Sequence, residues 1–111
     1  MSINTVPKRL FQDADMSGTL VSDTIDLRSF EHVAYHVVWS GATAAGDVFL
    51  DVSAEIGAPS SWENIASVNV AGAGSQLWLD RNAPYIWARV RYVPTAGTGL
   101  LQADVILKGD E

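Results

Sequence analysis

The feature that most constrains the fold is the strict alternation of side chains between residues 83 and 93. In a β-strand, successive side chains point to opposite faces, so this pattern predicts a strand. One face is apolar and predicts the core side: Ile86, Ala88, Val90 and Tyr92. The other face carries two aromatic rings and two arginines, and we expect it to be partly buried and partly paired: Tyr85, Trp87, Arg89 and Arg91. Pro84 suits the first residue of a strand, where the ladder needs no N–H donor.

The same alternation recurs in other segments, which turn signals separate about every eight to twelve residues. The predicted core faces are Val33, Tyr35, Val37 and Trp39; Val48, Leu50, Val52 and Ala54; and Leu101, Ala103, Val105 and Leu107. Shorter strands are predicted within residues 20–27, 65–70 and 77–79. No segment has the period of a long amphipathic helix, so the sequence predicts an all-β, antiparallel β-sandwich. We expect its last two strands to pair as a hairpin, with Asp104 across from Arg89 or Arg91.

The chain has the length of a single domain, and we divide it at residue 18. Residues 1–18 show no sustained period and contain Pro7 and the basic pair Lys8 and Arg9, with Leu10 and Phe11 as bulky anchors. We therefore predict an extended N-terminal arm that frays or becomes ordered on a neighbouring subunit. Residues 19–109 are predicted to form the sandwich.

Composition argues against several classes of function. The chain contains no cysteine, so neither a disulfide nor a thiolate metal site can hold the fold. Its formal net charge is −6, which disfavours nucleic-acid binding because that binding takes its affinity from Lys and Arg on phosphates. No apolar segment has the length of a signal peptide or a membrane span. We expect a soluble, cytosolically made product with neither a nucleic-acid partner nor a membrane partner.

The carboxylates form no motif that predicts catalysis. The segment from Asp13 to Gly18 resembles the first half of a calcium loop, but its twelfth position is Thr24 rather than a bidentate glutamate. It predicts a turn. Glu55 and Glu63 bracket a tryptophan-bearing loop, yet two facing carboxylates in a cleft would be needed for a glycosidase. Because a serine motif, a phosphate loop and a convergent His/Asp set are also missing from the sequence, we predict that the protein is not an enzyme.

The two histidines raise the possibility of a metal site. His32 and His36 fall on the same face of a predicted strand, and zinc could take both together with Asp47 or Asp51 from a neighbouring strand. Two histidines without a defined third ligand are a weak signal. We predict edge or surface histidines, and neither a metal nor any other cofactor.

Four tryptophans are numerous for a chain of this size: Trp39, Trp62, Trp78 and Trp87. A row of exposed aromatic rings on a β-sandwich can stack against sugars. Large aromatic side chains also dominate cores and protein interfaces, and we favour core or rim positions, with Trp62 closing one end of the core.

An ordered set of residues resembles the small β-sandwich virion proteins of tailed bacteriophages. The set is 25–27 (Ile-Asp-Leu), 35–41 (Tyr-His-Val-Val-Trp-Ser-Gly), Gly46 with 49–53, 62–65 (Trp-Glu-Asn-Ile), 83–92 with 97–99, and Lys108-Gly109. Within these proteins, length, acidity and composition are most similar to the capsid decoration, or staple, protein of the epsilon-fifteen type of Salmonella phage. The resemblance covers residues 20–109.

This resemblance implies a jelly-roll-like sandwich similar in shape to a carbohydrate-binding module. It implies a homodimer that clamps neighbouring major capsid subunits on the outer surface of the virion, after synthesis in the host cytoplasm. It implies no catalytic residue. A carbohydrate-binding module and a tail or head-completion protein remain the alternatives.

Two groups of residues are candidates for these contacts. Because the N-terminal segment is apolar and basic in an acidic chain, we place the capsid contact at Lys8, Arg9, Leu10 and Phe11. The mixed face of the alternating stretch is the candidate for contact with a second copy or for another interface, and alternation alone equally allows its burial inside the sandwich: Tyr85, Trp87, Arg89 and Arg91.

Overall fold

The computed structural model describes residues 3–28, 30–81 and 85–110. These residues form nine β-strands and confirm the all-β prediction. The strands are β1 (Ile3–Asp15), β2 (Leu20–Val21), β3 (Ile25–Asp26), β4 (His32–Ser40), β5 (Ala45–Ser53), β6 (Glu63–Ala71), β7 (Gly74–Arg81), β8 (Trp87–Ala96) and β9 (Leu100–Asp110). Pro84, expected at the start of a strand, lies outside the described residues. Within the described ranges, no helix is long and apolar enough to cross a membrane.

The strands form two antiparallel sheets with jelly-roll connectivity. The first sheet has the order β1-β9-β4-β7, and the second has the order β2-β8-β5-β6, with β3 also paired to β8. Strands β2 and β3 bind successive parts of β8 and together act as one interrupted strand. Apart from the β5–β6 hairpin, hydrogen-bonded neighbours are not consecutive in the chain, so most connections cross from one sheet to the other. This arrangement of two Greek keys is the double-sheet jelly roll, as the resemblance implied.

The core lies between the sheets and contains nearly all of the side chains predicted for it. Those buried from the long strands are Val33, Tyr35, Val37, Trp39, Val48, Leu50, Val52, Ala88, Val90, Tyr92, Leu101, Ala103, Val105 and Leu107. Each fully buried valine or leucine contributes roughly 1.5–3 kcal/mol of transfer free energy. The prediction for Ala54 is wrong, because β5 ends at Ser53 and Ala54 is exposed. In β6, Ile65 is 49% exposed and Val70 is buried.

The predicted hairpin between the last two strands is wrong. Strand β8 belongs to the second sheet and β9 to the first, so residues 97–99 cross between the layers. A Cβ atom on Gly97 would collide with the Thr43 carbonyl oxygen, which shows how closely this connection packs on the loop after β4. Asp104 consequently pairs with Arg9 of β1 rather than with an arginine of β8.

The N-terminal segment is extended, as expected, but it is not an arm separate from the sandwich. Strand β1 pairs with β9 from Ile3 to Asp15, with register shifts on either side of Phe11. Leu10 and Phe11 are half-buried against the core, so residue 18 marks no boundary between an arm and the sandwich. The two irregularities and the left-handed Asp13 (φ 50°) interrupt the period of two that would have revealed this strand.

If β1 is a structural strand, replacing Phe11 with alanine should destabilise the whole domain. We expect Phe11→Ala to lower the free energy of unfolding by about 2 kcal/mol, less than for a fully buried phenylalanine. The neighbouring exposed substitution, Gln12→Ala, should change it by less than about 0.5 kcal/mol. Urea unfolding followed by tryptophan fluorescence measures both. Equal stabilities of the two variants would show that the segment does not contribute to the core.

Candidate interaction surfaces

The outer face of the second sheet is built around a buried carboxylate. Because side chains alternate, Asp51 of β5 and Arg89 and Arg91 of β8 point away from the core. Arg89 Nε lies 3.0 Å from Asp51 Oδ2, and Arg91 Nε lies 2.9 Å from the same oxygen. The Asp51 side chain is only 2% exposed, whereas those of the arginines are 24% and 29% exposed. The two guanidinium groups therefore cover the carboxylate.

Aromatic rings extend this cluster across the sheet. The Arg89 guanidinium lies 4.4 Å from the centroid of Trp62, and that of Arg91 lies 4.4 Å from the centroid of Phe49. At the other edge, the Arg28 guanidinium lies 5.1 Å from the Trp87 ring. These distances are in the range of cation–π contacts. We call the resulting surface the arginine–aromatic face; it consists of Arg28, Phe49, Asp51, Trp62, Trp87, Arg89 and Arg91.

The electrostatics of Asp51 explain why a buried carboxylate is stable there. Burial raises the pKa of Asp51, but hydrogen bonds and charges from Arg91 and Arg89 lower it by more. The pKa of this carboxyl is therefore below its usual range, and the group is ionised at neutral pH. Two guanidinium groups and one carboxylate leave a local charge of +1, in a chain whose net charge is −6.

The loop between β5 and β6 is fixed onto this face. Trp87 Nε1 donates to the carbonyl oxygens of Glu55 and Gly57, both at 3.0 Å. The Glu55 carboxylate accepts the backbone N–H groups of Ser61 at 2.6 Å and Ser60 at 2.7 Å, which lower its pKa. Glu55 thus organises the loop. Trp62, at the end of this loop, stacks on the outer face, and the prediction that it closes the end of the core is wrong.

Tyr85 does not share a surface with the other residues of the alternating stretch. It precedes β8, and its hydroxyl donates to Asp80 of β7 and lies 3.2 Å from the Tyr35 hydroxyl of β4. Burial raises the pKa of both tyrosines. Tyr85 therefore links the second sheet to the first at one end of the sandwich. Of the four residues predicted to share a face, only Trp87, Arg89 and Arg91 belong to the arginine–aromatic face.

The outer face of the first sheet carries an apolar row. Register places four apolar residues side by side across the four strands: Leu79, Ala34, Ile106 and Pro7. Leu79 is 66% exposed and Ile106 39% exposed. A second exposed leucine, Leu77, lies on β7 two residues before Leu79, at 52% exposure. Exposed apolar residues that lie together, unlike scattered ones, mark surfaces for association.

Two of the four predicted capsid-contact residues lie beside this row. Lys8 and Arg9 line a shallow groove of about 380 Å³ together with Pro7, Asp104 and Ile106. Arg9 Nε lies 2.7 Å from Asp104 Oδ1 in this groove, and the pair is solvent-exposed. Leu10 and Phe11 pack against the core instead, so the segment divides between the groove and the interior.

The residues considered for metals and catalysis do not converge. His32 and His36 lie on β4 of the first sheet, whereas Asp47 and Asp51 lie on β5 of the second, so these four residues do not come together as the zinc set that the sequence analysis considered. No group of three or more potential metal ligands occurs in residues 3–28, 30–81 and 85–110. The predicted turn after Asp13 is confirmed, because Asp15 Oδ1 accepts the Ser17 backbone N–H at 2.9 Å.

Sequence reasoning missed the partner that organises the arginine–aromatic face. It placed Asp104 across from Arg89 or Arg91 and did not identify Asp51 as the partner of these arginines. Asp51 could have been singled out in the sequence, because it lies in the middle of a strand, directly between Leu50 and Val52 of the predicted core face. The exposure of a large apolar side chain on β7 could have been inferred in the same way. Trp78 and its two neighbours, Leu77 and Leu79, lie on opposite faces of the strand, and only one of these faces can point to the core.

The chain matches no protein-family model and no curated protein sequence. Solved structures are similar to it. The SPBc2 prophage-derived protein YomS superposes with a TM-score of 0.60 at 11% identity, over 96% of both chains. A chain from the structure of the infectious bursal disease virus Gx strain superposes with a TM-score of 0.55 at 7% identity, over 96% of this chain and 32% of the viral one. The chain shares their fold.

The Asp51 cluster makes a prediction for the pH dependence of stability. The folded pKa of Asp51 lies below the unfolded value of about 3.9, so its contribution is complete above that pH and is lost as pH falls through the folded pKa. At neutral pH, Asp51→Asn should lower the free energy of unfolding by about 2 kcal/mol, because two half-buried cations lose their counter-ion. It should also weaken the loss of stability below about pH 4.

The matched control is Asp104→Asn, which removes the carboxylate of the exposed pair with Arg9. Its cost should stay below about 1 kcal/mol, as for other surface ion pairs. Urea titrations between about pH 3 and 7 compare the variants. Equal losses for both substitutions would contradict the structural role assigned to Asp51.

Proposed function

We propose that the chain is a structural virion protein of a phage, which decorates the outer surface of an icosahedral capsid. As a homodimer it clamps neighbouring major capsid subunits. The observation that carries the proposal is the likeness to a prophage-derived protein over 96% of both chains. The similar fold within a virus structure gives further support. Jelly rolls also occur in lectin domains and cupins, so the fold alone does not distinguish these functions and the surface residues must do so.

The arginine–aromatic face is the best candidate for the capsid contact. Tryptophan and arginine are enriched among residues that dominate binding energy at protein interfaces. Here Arg89 and Arg91 are already held by Asp51, and the loop carrying Trp62 is tied down through Trp87. A surface that is ordered before binding loses less conformational entropy on contact. Its local positive charge would also suit an acidic region of the capsid subunit.

The groove at Lys8 and Arg9 is the second candidate contact. It lies on the outer face of the first sheet, opposite to the arginine–aromatic face. Its ion pair between Arg9 and Asp104 is exposed and therefore weak. We therefore place the principal capsid contact on the second sheet. The groove then either contacts a neighbouring subunit or stays exposed to solvent.

A homodimer would bind the capsid more tightly than a monomer, because it has two capsid-binding sites that act together. When one copy is bound, the second site of the dimer meets its capsid site at an effective concentration that can reach the millimolar range. Binding to the assembled shell and not to free subunits stabilises the shell by mass action. Modest single contacts are then sufficient for a durable decoration layer.

The alternative of a sugar-binding module is less well supported by the geometry. Both tryptophans of the outer face already stack on arginines, Trp62 on Arg89 and Trp87 on Arg28. A sugar would have to use the remaining ring faces or displace a guanidinium group. Retention of the protein on a glycan array but not on capsids would favour this alternative.

The test is co-sedimentation with empty capsids assembled from the major capsid protein encoded in the same genome. We expect the protein to pellet with capsids in a copy number comparable to that of the shell subunit, whereas a tail or head-completion protein would be far scarcer. Trp62→Ala should reduce the bound fraction at least about tenfold, since it removes a central interface residue without opening the core. Arg9→Glu, in the groove, is the matched surface control.

The folded state of both variants is checked by circular dichroism. No retention of the wild type on capsids would contradict the proposed function. Loss of binding with Arg9→Glu but not with Trp62→Ala would move the contact to the groove and contradict its placement on the second sheet.

A further inference from the structure

We propose that two copies of this chain associate edge to edge along β7, so that their first sheets join into one eight-stranded antiparallel sheet. This inference rests on the proposed function in one respect, since it names the surface through which the dimer forms. The partner is a second copy of the chain. The state of the four sheet edges, the composition of β7 and the symmetry of the pairing support this association.

Three of the four sheet edges carry features that hinder pairing. Strand β1 contains Pro7, which has no N–H, and two register shifts around Phe11. The edge formed by β2 and β3 is interrupted between Val21 and Ile25. On β6, Ile65 has no partner across the ladder, which marks an irregularity there. Proline, bulges and short strands are devices by which natural sheets avoid edge-to-edge association.

Strand β7 contains no proline and no bulge, and its two charged residues, Asp80 and Arg81, are at its C-terminal end. It pairs with β4 in an unbroken register from Arg81 to Gly74. On its open side, every second residue directs its N–H and C=O groups away from the sheet, as in any edge strand. No backbone hydrogen bond from the described residues reaches that side of β7. An unbroken edge of eight residues is a template for another strand.

The side chains of β7 favour an identical strand as the occupant. Leu77 and Leu79 point outward and are 52% and 66% exposed. No residue from Gly74 to Leu79 is charged. Elsewhere a net charge of −6 would oppose contact between two copies, but this segment brings no like charges together. Two antiparallel copies of β7 would meet without a charge conflict along this segment.

One register uses both leucines. In this register, the two-fold axis lies midway between the Trp78 residues of the two copies. Leu77 then lies opposite Leu79 of the partner subunit, and the reverse pair forms by symmetry. Residues directly opposite in an antiparallel pair lie on the same face, so four leucines form one cluster. Trp78 points inward and is half-buried at the sheet edge, where a partner strand would cover it further.

This symmetry also fits the capsid contact. A continuous sheet across the axis keeps the outer faces of both first sheets on one side, so the axis is roughly perpendicular to the sheet. Both arginine–aromatic faces then lie together on the other side of the dimer. The pair can thus present two equivalent contact surfaces to a single shell, which a clamp requires.

Sedimentation equilibrium of the purified protein, without capsids, tests the pairing. We expect a reversible monomer–dimer equilibrium with a Kd of about micromolar magnitude. Leu79→Lys should raise this Kd at least about tenfold, because lysine on an open edge opposes strand pairing. Ile65→Lys, at an apolar residue that is 49% exposed on the edge of the other sheet, should leave it unchanged. A wild-type monomer up to about 100 µM, or any other response of the two variants, would overturn the proposal.

Hydrogen exchange distinguishes strand pairing from contact between side chains alone. In dilute protein, the outward amides of β7 should exchange rapidly, and their protection should rise with protein concentration. Unchanged exchange in the dimer would overturn edge pairing. Failure here is separable from failure of the proposed function: Trp62→Ala should still dimerise, and Leu79→Lys should still contact capsids as a monomer with reduced avidity.

Discussion

The outer surface of the second sheet depends on a single carboxylate held between two guanidinium groups. Removing Asp51 from water is costly, and one arginine in this position would only partly offset that cost. Arg89 and Arg91 approach from the same strand, two residues apart, so one oxygen of Asp51 accepts from both Nε atoms. The pairing fixes the planes of both guanidinium groups. Those planes then stack on Trp62 and Phe49, and an ionic contact becomes a rigid surface.

The sequence showed on which face of a strand a residue lies more reliably than it showed which residues pair between strands. Alternation correctly separated Val90 and Tyr92 from Arg89 and Arg91, because the period of two is a property of the strand itself. It could not identify Asp51 as the ion partner, since that depends on the register between β5 and β8. The same limit explains the incorrect hairpin. Strands adjacent in the chain are expected to pair, but in a jelly roll the chain crosses to the other layer at most connections, and a short glycine-containing segment permits either course.

The N-terminal strand shows a different limit. A bulge adds a residue to one strand and reverses the facing of every residue beyond it. Two irregularities in β1 therefore remove the alternation from its sequence, although its pairing with β9 is long. The same irregularities protect the edge of the first sheet at β1. The feature that hid the strand from sequence reasoning is thus one that prevents uncontrolled association at this edge.

The distribution of charge connects the two surfaces. A chain with a net charge of −6 is kept apart from other copies by repulsion unless particular regions are exempt. Two regions meet that condition in different ways: on the arginine–aromatic face, Asp51, Arg89 and Arg91 leave a local charge of +1, and the segment Gly74–Leu79 carries no charge. The first suits a partner of opposite charge, and the second suits an identical partner. Because the surfaces lie on different parts of the sandwich, the proposed capsid contact and the proposed pairing of two copies do not compete for the same residues.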